Sequence, residues 1–363
     1  MCSAVVETLG ESTLGNTVTT SRQNTQPQSR SPDNFFVESP TRIDLAGGTL
    51  DLWPFYALLG PFYTINLAIS ILTRVDVRRL ETNEIRISSQ GMNRNVSYES
   101  LLKLKEVARS TTVGLEELVL SEFEFSGGWE LTTSSQSPVG GGLGGSSSLV
   151  ISLLKAAAQL EGQTLSDLEM IEIAHNIEAR ALGVPTGTQD YVPALRGGIN
   201  IIRYDHSGCH LEDCIDDVED FSERLVVVYT GRPHHSGLNN WEVYKKVVER
   251  DAQTIEALKS LGQVSEHLRV SLIKKDFDSF SDIFAQELKW RLRLSKVFSS
   301  PEIERLAAVI GKLGQIKICG AGGGGCVFVW VKSTQREEVV QLCQKNGFHT
   351  LEAAKPVAKI KTT

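Results

Sequence analysis

Ser137-Pro-Val-Gly-Gly-Gly-Leu-Gly-Gly-Ser-Ser-Ser148 is the stretch on which the reading of this chain turns. Five of the six residues at positions 140–145 are glycine. Leu149, Val150, Leu153, Leu154 and Ala157 then recur at helical spacing, which predicts a helix from about Ser146 to Leu160. Glycine has no Cβ, so its backbone reaches positive φ and brings amide N–H groups close to a ligand. A helix N-terminus directly behind it adds unpaired donors and the positive end of a dipole. The hydroxyls of Ser146, Ser147 and Ser148 can donate to phosphate or ligate Mg²⁺. Together these parts make an anion cradle. Two other glycine-loop readings fit less well. A Walker A loop ends in Gly-Lys-Ser/Thr, and no lysine is present here. A dinucleotide-binding loop follows a hydrophobic strand, whereas Thr132-Thr-Ser-Ser-Gln-Ser-Pro138 is too polar for a buried parallel one. A flexible linker does not run straight into a helix.

A second glycine cluster, Gly320-Ala-Gly-Gly-Gly-Gly325, lies far along the chain between two apolar segments, Lys317-Ile-Cys319 and Cys326-Val-Phe-Val-Trp-Val331. A hairpin needs about two to five loop residues, and few of them have to be glycine. The excess predicts that a backbone or a ligand passes close by; a tight turn is the plain alternative. A third feature is Glu178-Ala-Arg-Ala-Leu-Gly-Val-Pro-Thr-Gly-Thr-Gln-Asp190, with one carboxylate near a helix end and another after a Pro/Gly loop. Phosphoryl transfer needs a carboxylate to hold Mg²⁺ and a group to orient or deprotonate the attacking hydroxyl, though a surface Glu and a turn Asp would look the same. The fourth is Ser39-Pro-Thr-Arg-Ile-Asp-Leu-Ala-Gly-Gly-Thr-Leu-Asp51. Arg42 could neutralise phosphate charge there and Asp51 could accept hydrogen bonds from sugar hydroxyls; an isolated Arg or Asp is otherwise a solvated surface charge.

Around these motifs, strands are expected at Phe62-Tyr-Thr-Ile-Asn-Leu-Ala-Ile-Ser70, Thr73-Arg-Val-Asp-Val-Arg-Arg79 and Glu84-Ile-Arg-Ile-Ser88. A second helix runs from Leu165 to Leu182, with Thr164 or Ser166 as N-cap and Gly183 ending it. Strands follow at Gly198-Ile-Asn-Ile-Ile-Arg203 and Leu225-Val-Val-Val-Tyr-Thr230. Residues 239–297 are mostly helical, and a helix near 334–345 and a short strand close the chain. Strands, then helices, then strands again indicate an α+β fold rather than a doubly wound sheet.

The chain has 363 residues, 41% of them hydrophobic and 22% charged, with a net charge of -7. No strongly basic run occurs, which argues against nucleic acid as a partner. No window approaches the roughly 18 to 20 apolar residues of a membrane span, and residues 1–30 lack a secretory signal. Six scattered cysteines, with no metal-site spacing, read as buried thiols of a reducing compartment. The expectation is a cytoplasmic protein whose residues 1–33 form a disordered tail. His234 and His235 sit in a loop that is either polar surface or a sugar contact. Trp241, Trp290 and Trp330 read as packing residues, and the charged helices of 239–297 mostly as solvated faces.

Taken together, the four stretches resemble the GHMP kinase superfamily, with residues 137–148, 316–326 and 39–51 matching its three motifs in order. Thr41-Arg-Ile-Asp-Leu-Ala-Gly-Gly-Thr-Leu-Asp-Leu-Trp-Pro-Phe-Tyr56 and Gly187-Thr-Gln-Asp190 are similar to the sugar kinases related to D-glycero-D-manno-heptose 7-phosphate kinase. Galactokinases carry Gly-Glu-His-Thr-Asp where this chain has Gly-Gly-Thr-Leu-Asp51. The resemblance implies a two-lobed α+β fold, with a ribosomal-protein-S5-like lobe over residues 34–205 and a ferredoxin-like lobe over 206–363. It further implies ATP and Mg²⁺ as cofactors and a sugar or sugar phosphate as acceptor, phosphorylated at the anomeric hydroxyl. Pro138, Gly140, Gly141, Gly142, Leu143, Gly144, Gly145, Ser146, Ser147 and Ser148 would bind ATP; Ser146 and Glu178 would hold the metal. Asp190 and Arg42 would be catalytic, and Asp51, Gly187, Gly322 and Gly323 would meet the substrate. A non-catalytic sugar or nucleotide sensor, or a mevalonate-type kinase, is the rival that the same motifs allow.

Overall fold

The computed structural model describes residues 32–233, 236–320 and 322–360, of residues 236–240 the backbone only. The expected tail up to residue 31, together with His234 and His235, lies outside the described residues. The first part of the chain builds β1 (Asn34–Ala46), α1 (Phe55–Leu59), β2 (Phe62–Leu80), β3 (Ile85–Ser89), β4 (Arg94–Tyr98), α2 (Leu101–Ser110), α3 (Leu115–Leu120) and β5 (Gly128–Ser135). It continues through α4 (Gly145–Glu161), α5 (Asp167–Leu182), α6 (Tyr191–Arg196), β6 (Ile199–Asp205) and β7 (Gly208–Ile215). The rest contributes α7 (Glu219–Arg224), β8 (Leu225–Tyr229), α8 (Ser236–Val248), α9 (Ala252–Ile273), α10 (Phe280–Leu294), α11 (Pro301–Ile310), β9 (Gly314–Ile318), β10 (Cys326–Val331), α12 (Arg336–Lys345) and β11 (His349–Thr350).

β2 organises the first sheet. One edge pairs with β1 along most of its length; the other is shared end to end by β6, against Phe62–Leu67, and β5, against Thr73–Leu80. The expected pair of strands over 62–79 is thus one continuous strand. The polar stretch before the glycine loop is strand as far as Ser135, antiparallel to β2 and parallel to β3. Its polarity is accommodated because buried Thr133 donates its hydroxyl to Glu116 at 3.0 Å. α4 lies on this sheet. Val150, Leu153, Leu154 and Ala157 bury fully in a core with Val75, Val77 and Leu131, as their spacing predicts. α5 starts with a capping box, Ser166 accepting from Glu169 N–H and Glu169 reaching back, and ends at Gly183 in the left-handed region.

The second sheet has the order β11-β8-β10-β9. With helices between its first two and last two strands, that is the ferredoxin-like arrangement of the fourth, first, third and second strands. A second core joins the two sheets, with Ile43, Leu67 and Leu143 packed among Leu268, Phe284, Phe328 and Trp330. Trp330 meets Phe221, Phe280 and Phe284 at ring separations of 5.1–5.8 Å. Trp330 therefore packs as expected, whereas Trp241 remains 37% exposed while stacking on Tyr244. α10 holds an exception to the mostly solvated charged faces expected here, because Glu287 and Arg291 are wholly buried. No helix among the described residues is long and apolar enough to cross a membrane.

Candidate active site

The two glycine clusters, almost two hundred residues apart, fold against each other. Cys326 N–H donates to Gly141 O at 2.7 Å. Gly320 and Gly325, both at positive φ, lie so close to residues 140–142 that a Cβ on either would sit 2.9–3.1 Å from their backbone atoms. The excess of glycine is thus explained by backbone approaching backbone. Gly322 and Gly323 face elsewhere: Gly323 N–H donates to Phe298 O at 2.9 Å, and Gly322 packs on the Phe298 backbone. In the first loop Gly140, Gly142 and Gly144 take positive φ. Gly144 opens α4 with no side-chain cap, and Gly141 N–H is tied back to Pro138 O.

Arg42 joins this loop to the expected catalytic carboxylate. Its backbone N–H donates to Leu143 O at 2.9 Å, and Nη1 donates to Gly142 O at 2.5 Å. Nε and Nη2 form a two-pronged pair with Asp190, at 2.8 and 2.6 Å. Burial opposes the Arg42 charge, but Asp190 beside it more than compensates and holds the guanidinium protonated. Pairing both Asp190 oxygens fixes the carboxylate plane and leaves a lone pair on each for another donor.

The serines divide. Ser146 and Ser147 donate to the two oxygens of Glu178, at 2.6 and 2.7 Å. Ser148 turns into the sheet, bonding Thr73 Oγ1 at 2.8 Å and Ser39 O at 3.0 Å. Glu178 is buried, which raises its pKa, and among the described residues no Lys or Arg pairs with it. A desolvated carboxylate flanked by hydroxyls, at the positive end of α4, is a hard oxygen donor set that suits Mg²⁺. The glycine loop and uncapped helix start suit the phosphates beside it. No group of three or more His, Cys, Asp or Glu side chains stands ready for a metal among the described residues.

Asp51 lies beside the same centre. Gln189 N–H donates to its Oδ2 at 3.1 Å, and a methyl on Gly187 would overlap its carboxylate. Burial, reinforced by the Asp190 charge, pushes Asp51 up to about 7. The wall continues through Thr188, which bonds the Tyr204 hydroxyl at 3.1 Å, and Tyr56, whose ring lies 5.4 Å from that of Tyr204. Arg42, Asp51, the residues 140–147, Glu178, Gly187 and Asp190 are thus brought together. The Ser148 side chain and the Gly322–Gly323 pair are engaged with Thr73, Ser39 and Phe298.

Sequence reasoning missed Asp44, Glu287, Arg291 and Lys317, four charged side chains at most 1% exposed. The signal was a charge at an inward position of an otherwise apolar strand: Asp44 in β1 shares a face with Arg42, and Lys317 alternates with Ile316 and Ile318.

This arrangement, a glycine loop opening a helix with a Ser–Glu pair and an Arg–Asp pair beside it, is a geometry that can accept phosphate. The model of the GHMP kinases N terminal domain matches residues 105–198, and that of the GHMP kinases C terminal domain matches residues 268–347. The chain belongs to the GHMP kinase superfamily. It is 26% identical over 319 residues to the D-glycero-alpha-D-manno-heptose 7-phosphate kinase of Campylobacter jejuni, covering 85% of this chain and 93% of that one. It is 24% identical over 329 residues to the bifunctional fucokinase/GDP-fucose pyrophosphorylase of Arabidopsis thaliana, 84% of this chain but 31% of that protein. Its fold is similar to that of the D-glycero-D-manno-heptose 1-phosphate kinase from Bacteroides thetaiotaomicron, with a TM-score of 0.72 at 20% identity over 90% of this chain and 99% of that one.

Proposed function

We propose that this chain is an ATP-dependent sugar kinase that phosphorylates a hydroxyl, the anomeric one, of a sugar or sugar phosphate. The observation that carries the reading is the Arg42–Asp190 pair held against Gly142, one loop from the Ser146–Ser147–Glu178 set. When bound, ATP supplies the phosphoryl group and Mg²⁺ screens the charge of its phosphate oxygens. Free amides of the glycine loop and of the start of α4 would hold the phosphates, and Ser146, Ser147 and Glu178 would hold the metal. Asp190, aligned by Arg42, takes a hydrogen bond from the acceptor hydroxyl on its free lone pairs and receives the proton as the oxygen attacks. Asp51 and the Thr188–Tyr204 wall set the sugar. Alignment and preorganised charge carry most of this catalysis. Similarity to kinases of heptose phosphate and fucose supports a sugar acceptor.

Asp190→Ala would leave the Arg42 charge buried and unpaired, a change costly to the fold itself; Asp190→Asn keeps the shape. ADP release should be measured with D-glycero-D-manno-heptose 7-phosphate, fucose, galactose and mevalonate. We expect turnover on a sugar, a fall on the order of 10²–10³ in Asp190→Asn, and unchanged nucleotide affinity. Sugar binding without ADP release would make the protein a sensor, release with mevalonate alone would make it a mevalonate-type kinase, and full activity of Asp190→Asn would remove the catalytic assignment.

A further inference from the structure

Asp44, Glu287, Arg291 and Lys317 form a four-charge cluster where the two lobes meet. Lys317 Nζ donates to Asp44 Oδ2 at 2.9 Å and lies 3.3 Å from Glu287 Oε1. Arg291 pairs with Glu287, Nε to Oε1 at 2.6 Å and Nη2 to Oε1 at 2.5 Å, and Nη2 stands 3.6 Å from Asp44 Oδ2. Two acids and two bases balance. Burial opposes the charge on Asp44, and Lys317 and Arg291 together hold its pKa below the ordinary value.

Each member roots a different segment of the cleft. Asp44 stands two residues from Arg42 on the same face of β1. Lys317 is on β9, which feeds the second glycine loop. Arg291, while held by Glu287, also reaches out of the cluster: Nη2 donates to Gly48 O at 3.3 Å. Gly48 fits between Asp44 and Gln189: a Cβ there would collide with Asp44 Oδ2 and come within 3.2 Å of Gln189 Nε2. Three residues on, Asp51 accepts from Gln189 N–H. The acceptor-side turn over residues 47–51 is therefore held from beneath by Arg291 and from the side by Gln189.

We infer that Arg291 is a positioning residue: through Gly48 it sets the turn that presents Asp51, and the cluster holds it at the right height between the lobes. Stability alone does not require such a cluster, since a buried ion pair is no stronger than apolar side chains of similar volume. What it provides is direction, a donor aimed at one carbonyl. The inference rests on the acceptor role proposed for Asp51.

Two variants separate positioning from packing. Glu287→Leu/Arg291→Met removes a matched pair of charges and leaves Lys317 with Asp44; Arg291→Lys keeps the charge and shortens the fork that reaches Gly48. With the sugar that wild type phosphorylates, each folded variant should show an acceptor KM raised about tenfold, the effect of roughly one lost hydrogen bond, with the ATP KM within about twofold. Amide exchange should rise over residues 47–51 and stay unchanged over 140–148. A folded variant with wild-type acceptor KM and wild-type exchange at 47–51 overturns the inference, as does an equal loosening of both loops. The exchange measurement needs no turnover. A wild type that phosphorylates no sugar sinks the kinase reading, while the exchange result decides the role of Arg291 by itself.

Discussion

Gly187 is fixed by its neighbour and not by its backbone, because the space a side chain would fill is occupied by the Asp51 carboxylate. Gly187→Ala should displace Asp51 and raise the acceptor KM at least about tenfold with nucleotide affinity kept, as steady-state kinetics in each substrate will show; an unchanged acceptor KM would take Asp51 out of the site. The same carboxylate predicts a pH dependence. Moving a carboxyl from 3.8 to about 7 means roughly 4 kcal/mol to ionise it in place. The folded protein keeps this proton where the unfolded chain has lost it, so Asp51 contributes stability below about pH 4 that is lost as pH rises through about 7. Asp51→Asn should lose less melting temperature between pH 5 and pH 8 than wild type; parallel curves would mean that Asp51 ionises freely. The sequence marked Asp51 and Gly187 separately, through family motifs. Their contact spans 136 positions, and no local pattern encodes it.

At the scale of elements, legibility followed capping and periodicity. α5 was readable at both ends because Ser166, Glu169 and Gly183 are the residues that satisfy orphan backbone groups. Ser166→Ala should cost about 1 kcal/mol, seen as a melting point lower by roughly 2–4 °C with kcat unchanged; a larger fall in kcat would tie this helix start to the cleft. The pairing of the glycine clusters was foreshadowed by glycine beyond what a turn requires. α10 was misread for a physical reason. Glu287 and Arg291, one helical turn apart, look the same in sequence whether they face water or each other in the interior; only the partners, Asp44 and Lys317 from distant strands, decide. β2 was read as two strands, and the gap between them falls where its edge passes from β6 to β5.

In the whole molecule that break in pairing is closed by the far end of the chain. Between the β6 and β5 stretches, Ser70 N–H donates to Lys355 O, Val357 N–H to Ala68 O, and Gly198 N–H to Val357 O, each at 2.8–2.9 Å; Ile360 N–H reaches Arg196 O at 2.7 Å. Residues 353–360 thus strap the second lobe to the first at the end of α6, the helix that starts at Asp190. A chain ending at residue 353 should unfold at a melting temperature lower by several degrees and lose kcat as α6 loosens; a truncated protein with wild-type melting and turnover would reduce the strap to decoration. We also propose that the lobes divide after Ile215 and not at residue 205, since β7 pairs with β6 along Ile199–Asp205. The strap has a further consequence for how the protein comes into being. A ribosome delivers residues 34–215 long before residues 353–360, so the nascent first lobe waits with backbone groups at Ala68, Ser70 and Gly198 unpaired. Its pairing at these positions waits until that later segment has been made.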